Sequence, residues 1–244
     1  MSAQRAATIT WLPDDTEEDL VGADWHQRAI SSLCNGLSDL AFERGWPWHV
    51  GNQLPLDAWR PDNTRWTPSP DIMVHPQAGP EQRDRIDART EGVPALIVEV
   101  AGRTTWRKDV GIAGRGKALE YLSLGVLEYL VFDPTGEYIA ERCRAWRLVD
   151  GAWQSWQPQP DGRYASGLGI SFRPEDLFLR IFDPDGVPVP FDYEKGRQNM
   201  ALRQENLTLS QEVATLRAEL ERLRRQNSAA PPVSPAPDDD VNAR

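Results

Sequence analysis

Leu96-Ile97-Val98-Glu99-Val100 is an apolar, largely β-branched run interrupted by one carboxylate. Such a run has the composition of a central strand buried on both faces. A buried carboxylate there costs on the order of several kcal/mol unless it is paired or bound to a cation. Upstream, Asp71 directly follows Pro70 and opens a second strand-like piece, Asp71 to Val74. At one open end of a mixed sheet, Asp71, Glu99 and the backbone carbonyl of Val100 make an all-oxygen donor set suited to Mg²⁺ or Mn²⁺. Such an ion polarises a phosphodiester and lowers the pKa of an attacking water. A purely structural reading stands beside this one: Asp after Pro is common in turns, and a strand glutamate can lie half exposed at an edge.

The elements that must position these carboxylates are legible from periodicity. Trp25, Ile30, Leu33, Leu37, Leu40 and Ala41 recur at helical spacing, predicting a helix from near Asp24 to Glu43 ended by Gly45 and Pro47. Strand-like pieces follow at 48–56 and 71–74. After the Glu99 strand comes a helix stopped at Gly125, then a second buried strand, Leu127 to Phe132, closed by Asp133-Pro134-Thr135-Gly136. A helix between two buried strands implies a right-handed βαβ unit. Tyr138–Val149 and Ala152–Gln157 read as antiparallel strands joined at Asp150-Gly151, with further short strands at 170–172 and 177–182.

Three regions separate by composition: a globular part over 1–192, a helix over 193–227, and a Pro/Ala/Ser/Asp tail over 228–244 expected to be disordered. Truncating the tail after Asn227 is expected to leave the melting temperature unchanged. Within the helix, Leu202, Leu209, Leu216 and Leu223 recur every seven residues at d positions, with Asn199, Asn206, Val213, Leu220 and Asn227 at a. This predicts a parallel homodimeric coiled coil over 199–227; an amphipathic helix folded onto its own domain is the alternative. The net charge of −10 argues against a general nucleic-acid binder, although much of the excess lies in Asp14–Asp19 and Asp238–Asp240. No apolar run is long enough to span a bilayer, and the first residues do not resemble a signal peptide. Two cysteines, Cys34 and Cys143, and no cysteine–histidine cluster fit a cytoplasmic protein without structural zinc.

The segments Ser69-Pro70-Asp71-Ile72-Met73-Val74, Leu96 to Val100, Gly116-Lys117-Ala118-Leu119-Glu120-Tyr121 and Leu124 to Pro134, taken in this order, resemble the Uma-two family. Trp146 to Gly151 and Gly162-Arg163-Tyr164 resemble it as well. That family comprises restriction-endonuclease-like proteins of the PD-(D/E)xK nuclease superfamily. The resemblance implies an α/β fold with an αβββαβ mixed-sheet core, Asp71 and Glu99 as metal ligands, and DNA as substrate. It also implies a catalytic lysine. The superfamily places it two residues after the glutamate, where this chain has Ala101. The Uma-two pattern places it on the following helix, four residues before a tyrosine, which Lys117 and Tyr121 match. Two departures stand out: Ala101-Gly102-Arg103-Thr104-Thr105 replaces the family's Ser-Pro-Ser-Thr-like turn, and the helix begins in a stretch containing Gly111, Gly114 and Gly116.

Among other residues, His26 has a site role and an incidental helix position as alternatives, the second favoured. Tyr121 either orients Lys117 or packs. Asp109 reads as a helix cap. Arg103, Arg107, Lys108 and Arg115 read as phosphate contacts or a solvated turn. The leading expectation is a metal-dependent DNA endonuclease. Its rivals are a catalytically silent nucleic-acid-binding or regulatory protein of the same fold, and a coiled-coil assembly adaptor.

Overall fold

The computed structural model describes residues 24–60, 62–111 and 116–228. The chain divides into two compact units, Met1–Asp192 and Tyr193–Arg244. In the first, helix α1 (Asp24–Arg44) is followed by strands β1 (His49–Asn52), β2 (Leu56–Trp59), β3 (Arg65–Trp66), β4 (Ile72–His75), β5 (Ile86–Asp87) and β6 (Leu96–Val100). Then come α2 (Trp106–Val110), α3 (Lys117–Leu124), β7 (Glu128–Phe132), β8 (Cys143–Val149), β9 (Ala152–Ser155), β10 (Tyr164–Ala165), β11 (Ser171–Glu175) and β12 (Phe178–Phe182). The long helix α4 runs Asp192–Ser228.

The main sheet has the order β1-β4-β6-β7-β8-β9. Only β6 and β7 run parallel, paired from Leu96 with Glu128 to Val100 with Phe132. With α1 and α3 this gives the αβββαβ core, into which the small β3-β2-β5 sheet is inserted. Both faces of β6 are covered, which is why its sequence is almost continuously apolar. Leu96, Val98 and Val100 pack against Ile30, Leu33, Leu37 and Leu40 of α1. Ile97 faces the other layer, among Trp66, Tyr121, Tyr129 and Val126. Glu99, two residues on, shares that second face. Leu37 is fully buried, so Leu37→Ala is expected to cost about 2–5 kcal/mol in urea unfolding. A loss under about 1 kcal/mol would show that α1 is not part of the core.

Several boundaries differ from the sequence reading. The apolar stretch at 48–56 divides into two strands of different sheets, and the two-residue strands β3, β5 and β10 are too short to leave a periodic signal. The strand expected from Tyr138 begins only at Cys143. The amides of Tyr138 and Ile139 donate instead to the buried Asp133 carboxylate, at 2.7 and 2.8 Å, so this segment is a loop wound on one side chain. Asp150 and Gly151 both have positive φ, as the tight β8–β9 turn requires. Ser228 still belongs to α4. The rest of the tail, the N-terminal acidic stretch and Arg115 lie outside the described residues.

Candidate active site

Pairing of β6 with β4 and β7 brings Asp71, just before β4, to the end of β6 that carries Glu99 and Val100. The Val100 amide donates to Asp71 Oδ2 at 2.8 Å, and the Asp71 amide lies 3.4 Å from Glu99 Oε2. The two side chains therefore share one strand end, Asp71 held by the Val100 amide and Glu99 facing the Asp71 amide. Glu99 is 1% exposed.

Lys117 and Tyr121, one helical turn apart at the start of α3, reach the same carboxylate from the opposite layer. Lys117 Nζ lies 3.3 Å from Glu99 Oε2, and the Tyr121 hydroxyl donates to Glu99 Oε1 at 3.0 Å. Gly125 ends α3 in the left-handed conformation, its amide bonded to the carbonyls of Tyr121 and Leu122.

The glycine-rich approach to α3 has a steric cause. Gly116 has φ of 136°, and a Cβ there would fall 2.5 Å from Gly111 Cα and 2.6 Å from the Lys108 carbonyl oxygen. Backbone thus lies directly on backbone where α2 ends and α3 begins. That contact places α2, with Asp109, beside Lys117. Gly116→Ala is expected to destabilise the chain by more than about 2 kcal/mol, because neither the φ nor the contact tolerates a methyl group. A variant that unfolds like the wild type in urea would remove this explanation.

Two residues read from sequence as incidental or capping stand elsewhere. His26, which sequence favoured as an incidental helix residue, places Nε2 at 2.8 Å from the Val100 carbonyl oxygen and 3.9 Å from Asp71 Oδ2. No periodic signal separates such a histidine from a surface one, because only the pairing of α1 with β6 brings it there. Asp109, read as a cap, is 1% exposed with Oδ1 3.2 Å from Lys117 Nζ. The N-cap of α2 is Thr105 and that of α3 is Gly116.

Burial pushes the Glu99 carboxyl well above its usual range; Lys117 opposes this, and repulsion from Asp71 and Asp109 adds to it. Burial also raises Asp109, again against Lys117. A carboxyl with a raised folded-state pKa binds its proton more tightly in the native state than in the unfolded one. Its contribution to stability is present at low pH and is lost as pH rises through the folded value. Glu99→Gln removes that penalty. In metal-free buffer it is expected to melt higher than wild type at about pH 8, with the gain shrinking toward about pH 5. A lower melting temperature at about pH 8 would show that the Lys117 attraction outweighs burial.

Residues 17–173 match the model of the Uma2 (Uma-two) family, described as "Putative restriction endonuclease". The chain belongs to the Uma2 family. The match covers α1, all but the last strands of the first unit, and every residue of the site. A solved structure described as a "putative nuclease belonging to DUF820 from Anabaena variabilis ATCC 29413" is similar at 17% identity and a TM-score of 0.31. The similarity covers 69% of this chain and 73% of that one. No curated protein matches the chain significantly. Membership in Uma2 supports a nuclease role.

Among the described residues, no group of three or more His, Cys, Asp or Glu side chains stands in metal-holding geometry. The candidate oxygen donors are the carboxylates of Asp71 and Glu99 and the Val100 main-chain carbonyl. Their chemistry suits a hard divalent cation, whose charge would offset the burial of Glu99. Among the described residues, no helix is long and apolar enough to cross a membrane.

Proposed function

We propose that this Uma2 protein is a divalent-metal-dependent endonuclease hydrolysing phosphodiester bonds of DNA. The observation that carries the reading is Lys117 Nζ at 3.3 Å from Glu99 Oε2. A helix lysine stands beside the second carboxylate although Ala101 occupies the strand position two residues after it. Asp71, Glu99 and the Val100 carbonyl would hold Mg²⁺ or Mn²⁺, which supplies phosphoryl polarisation and an acidified water. Lys117 offers a preorganised positive charge where the pentacovalent phosphate develops negative charge. Tyr121 fixes the Glu99 carboxylate by donating its hydroxyl hydrogen to Oε1. His26 fixes the Val100 carbonyl, and the Val100 amide fixes Asp71. Both cysteines are free thiols, which accords with a cytoplasmic enzyme. A parallel homodimer through α4 completes the reading.

The deciding experiment incubates the protein with single- and double-stranded DNA and RNA in Mg²⁺ or Mn²⁺, with Glu99→Ala as control. Cleavage by wild type and none by the variant is expected. Metal titration followed by tryptophan fluorescence separates a silent relative, which would bind no cation. Equal cleavage by Glu99→Ala would assign the activity to another site or to a contaminant.

A further inference from the structure

We infer that Asp109 is a positioning residue that holds the Lys117 ammonium at the strand end. This rests on the endonuclease reading for its effect on catalysis, but the contact itself does not. Lys117 Nζ is shared by two carboxylates on different elements, Glu99 Oε2 of β6 at 3.3 Å and Asp109 Oδ1 of α2 at 3.2 Å. Its side chain is 11% exposed.

The need for a second anchor follows from where the lysine comes. A lysine two residues after the glutamate would be aimed by the strand backbone that carries both groups. Lys117 instead arrives from another layer on a flexible four-carbon stem. An ion pair to Glu99 alone lets the ammonium follow that carboxylate whenever Glu99 turns toward a cation. Asp109 supplies a fixed point independent of β6.

Asp109 is itself immobilised from several sides. Its amide donates to the Thr105 carbonyl at 3.0 Å, and its carbonyl accepts the Tyr129 hydroxyl at 2.9 Å. The Gly111–Gly116 contact locks the end of α2 against the start of α3. A carboxylate this buried is costly. A lysine paired only with Glu99 would be neutralised without Asp109, so charge balance does not require the second carboxylate.

The test compares wild type, Asp109→Asn and Asp109→Glu in three measurements: single-turnover DNA cleavage, Mn²⁺ affinity, and the rate at which an acetylating reagent modifies Lys117, read by mass spectrometry without metal. Asp109→Asn is expected to keep Mn²⁺ affinity and KM within about twofold. It should lose about tenfold to a hundredfold in the cleavage rate, the scale of a misplaced catalytic group. Lys117 should acetylate several-fold faster, and Asp109→Glu should recover part of both effects. Should Asp109→Asn fail to fold, Asp109→Glu alone carries the test, through a Lys117 acetylation rate different from wild type. Unchanged Lys117 acetylation in a folded variant overturns the inference. So does a cleavage rate equal to wild type. If wild type itself cuts nothing, the endonuclease reading fails, while the acetylation measurement still decides whether Asp109 holds Lys117.

Discussion

Lys117→Ala is expected to fold, to bind Mn²⁺ about as well as wild type, and to cleave DNA about 10²-fold or more slowly, the scale of losing one preorganised charge-stabilising group. Metal affinity survives because the proposed ligands are Asp71, Glu99 and the Val100 carbonyl, none of which Lys117 carries. The rate falls because Ala101 offers no replacement charge. The fold survives at a cost: without Lys117, Glu99 and Asp109 stay buried with no ammonium between them, and breaking buried pairs costs about 3–5 kcal/mol. The variant should therefore melt below wild type, most clearly at alkaline pH where both carboxyls must ionise. Added Mn²⁺ should recover part of the difference. Glu99→Ala should show the complementary pattern, losing cation binding and cleavage together. Single-turnover rates at saturating Mn²⁺ separate the two cases. If Lys117→Ala cuts as fast as wild type, the charge must come from elsewhere, and Arg103, on the turn between β6 and α2, or Lys108, within α2, is next to be replaced.

The parts of this site that were legible in the sequence are those whose signal is local. Glu99 stood out because it interrupts an apolar strand, and Asp71 because it opens one after a proline. Lys117 and Tyr121 were found through their resemblance to a family spacing, since i and i+4 share a helix face whatever lies opposite. The surroundings of His26 and Asp109 are made by long-range pairing: His26 of α1 meets the Val100 end of β6, and α2 folds back against α3 through two glycines. Nothing within a few residues of either distinguishes it from a surface histidine or a capping aspartate. The same division holds for the fold. Long buried strands and α1 announce themselves by period, whereas the two-residue strands and the loop wound on Asp133 do not. Gly111 and Gly116 meet in a close backbone contact that sets the spacing between Asp109 and Lys117.

Sedimentation of the full chain at micromolar concentration is expected to give a dimer, and Leu209→Lys with Leu216→Lys a monomer. The seam residues Leu202, Leu209, Val213, Leu216, Leu220 and Leu223 stand 45–65% exposed on α4. A single helix of this kind is marginal in water without a partner for its apolar stripe. Burying each of these side chains contributes roughly 1.5–3 kcal/mol at most, so the seam as a whole can offset the entropy of association. Orientation is set by charge. Taking the leucine heptad as d, the g positions hold Glu205, Glu212 and Glu219, and the e positions hold Arg203, Arg217 and Arg224. A parallel pair sets g against the next e of its partner, matching Glu212 with Arg217 and Glu219 with Arg224. An antiparallel pair sets g against g and e against e, bringing glutamate to glutamate and arginine to arginine. Asn206 at an a position meets itself only in the parallel, in-register arrangement, where it can hydrogen-bond across the seam. Cysteine placed at Leu202 or at Leu223, both away from the middle of the helix, should therefore cross-link to its own copy under mild oxidation. A dimer that sediments as such but fails to cross-link at both positions would be antiparallel. A wild-type monomer at micromolar concentration would leave the leucine seam to some partner other than a second copy of this chain.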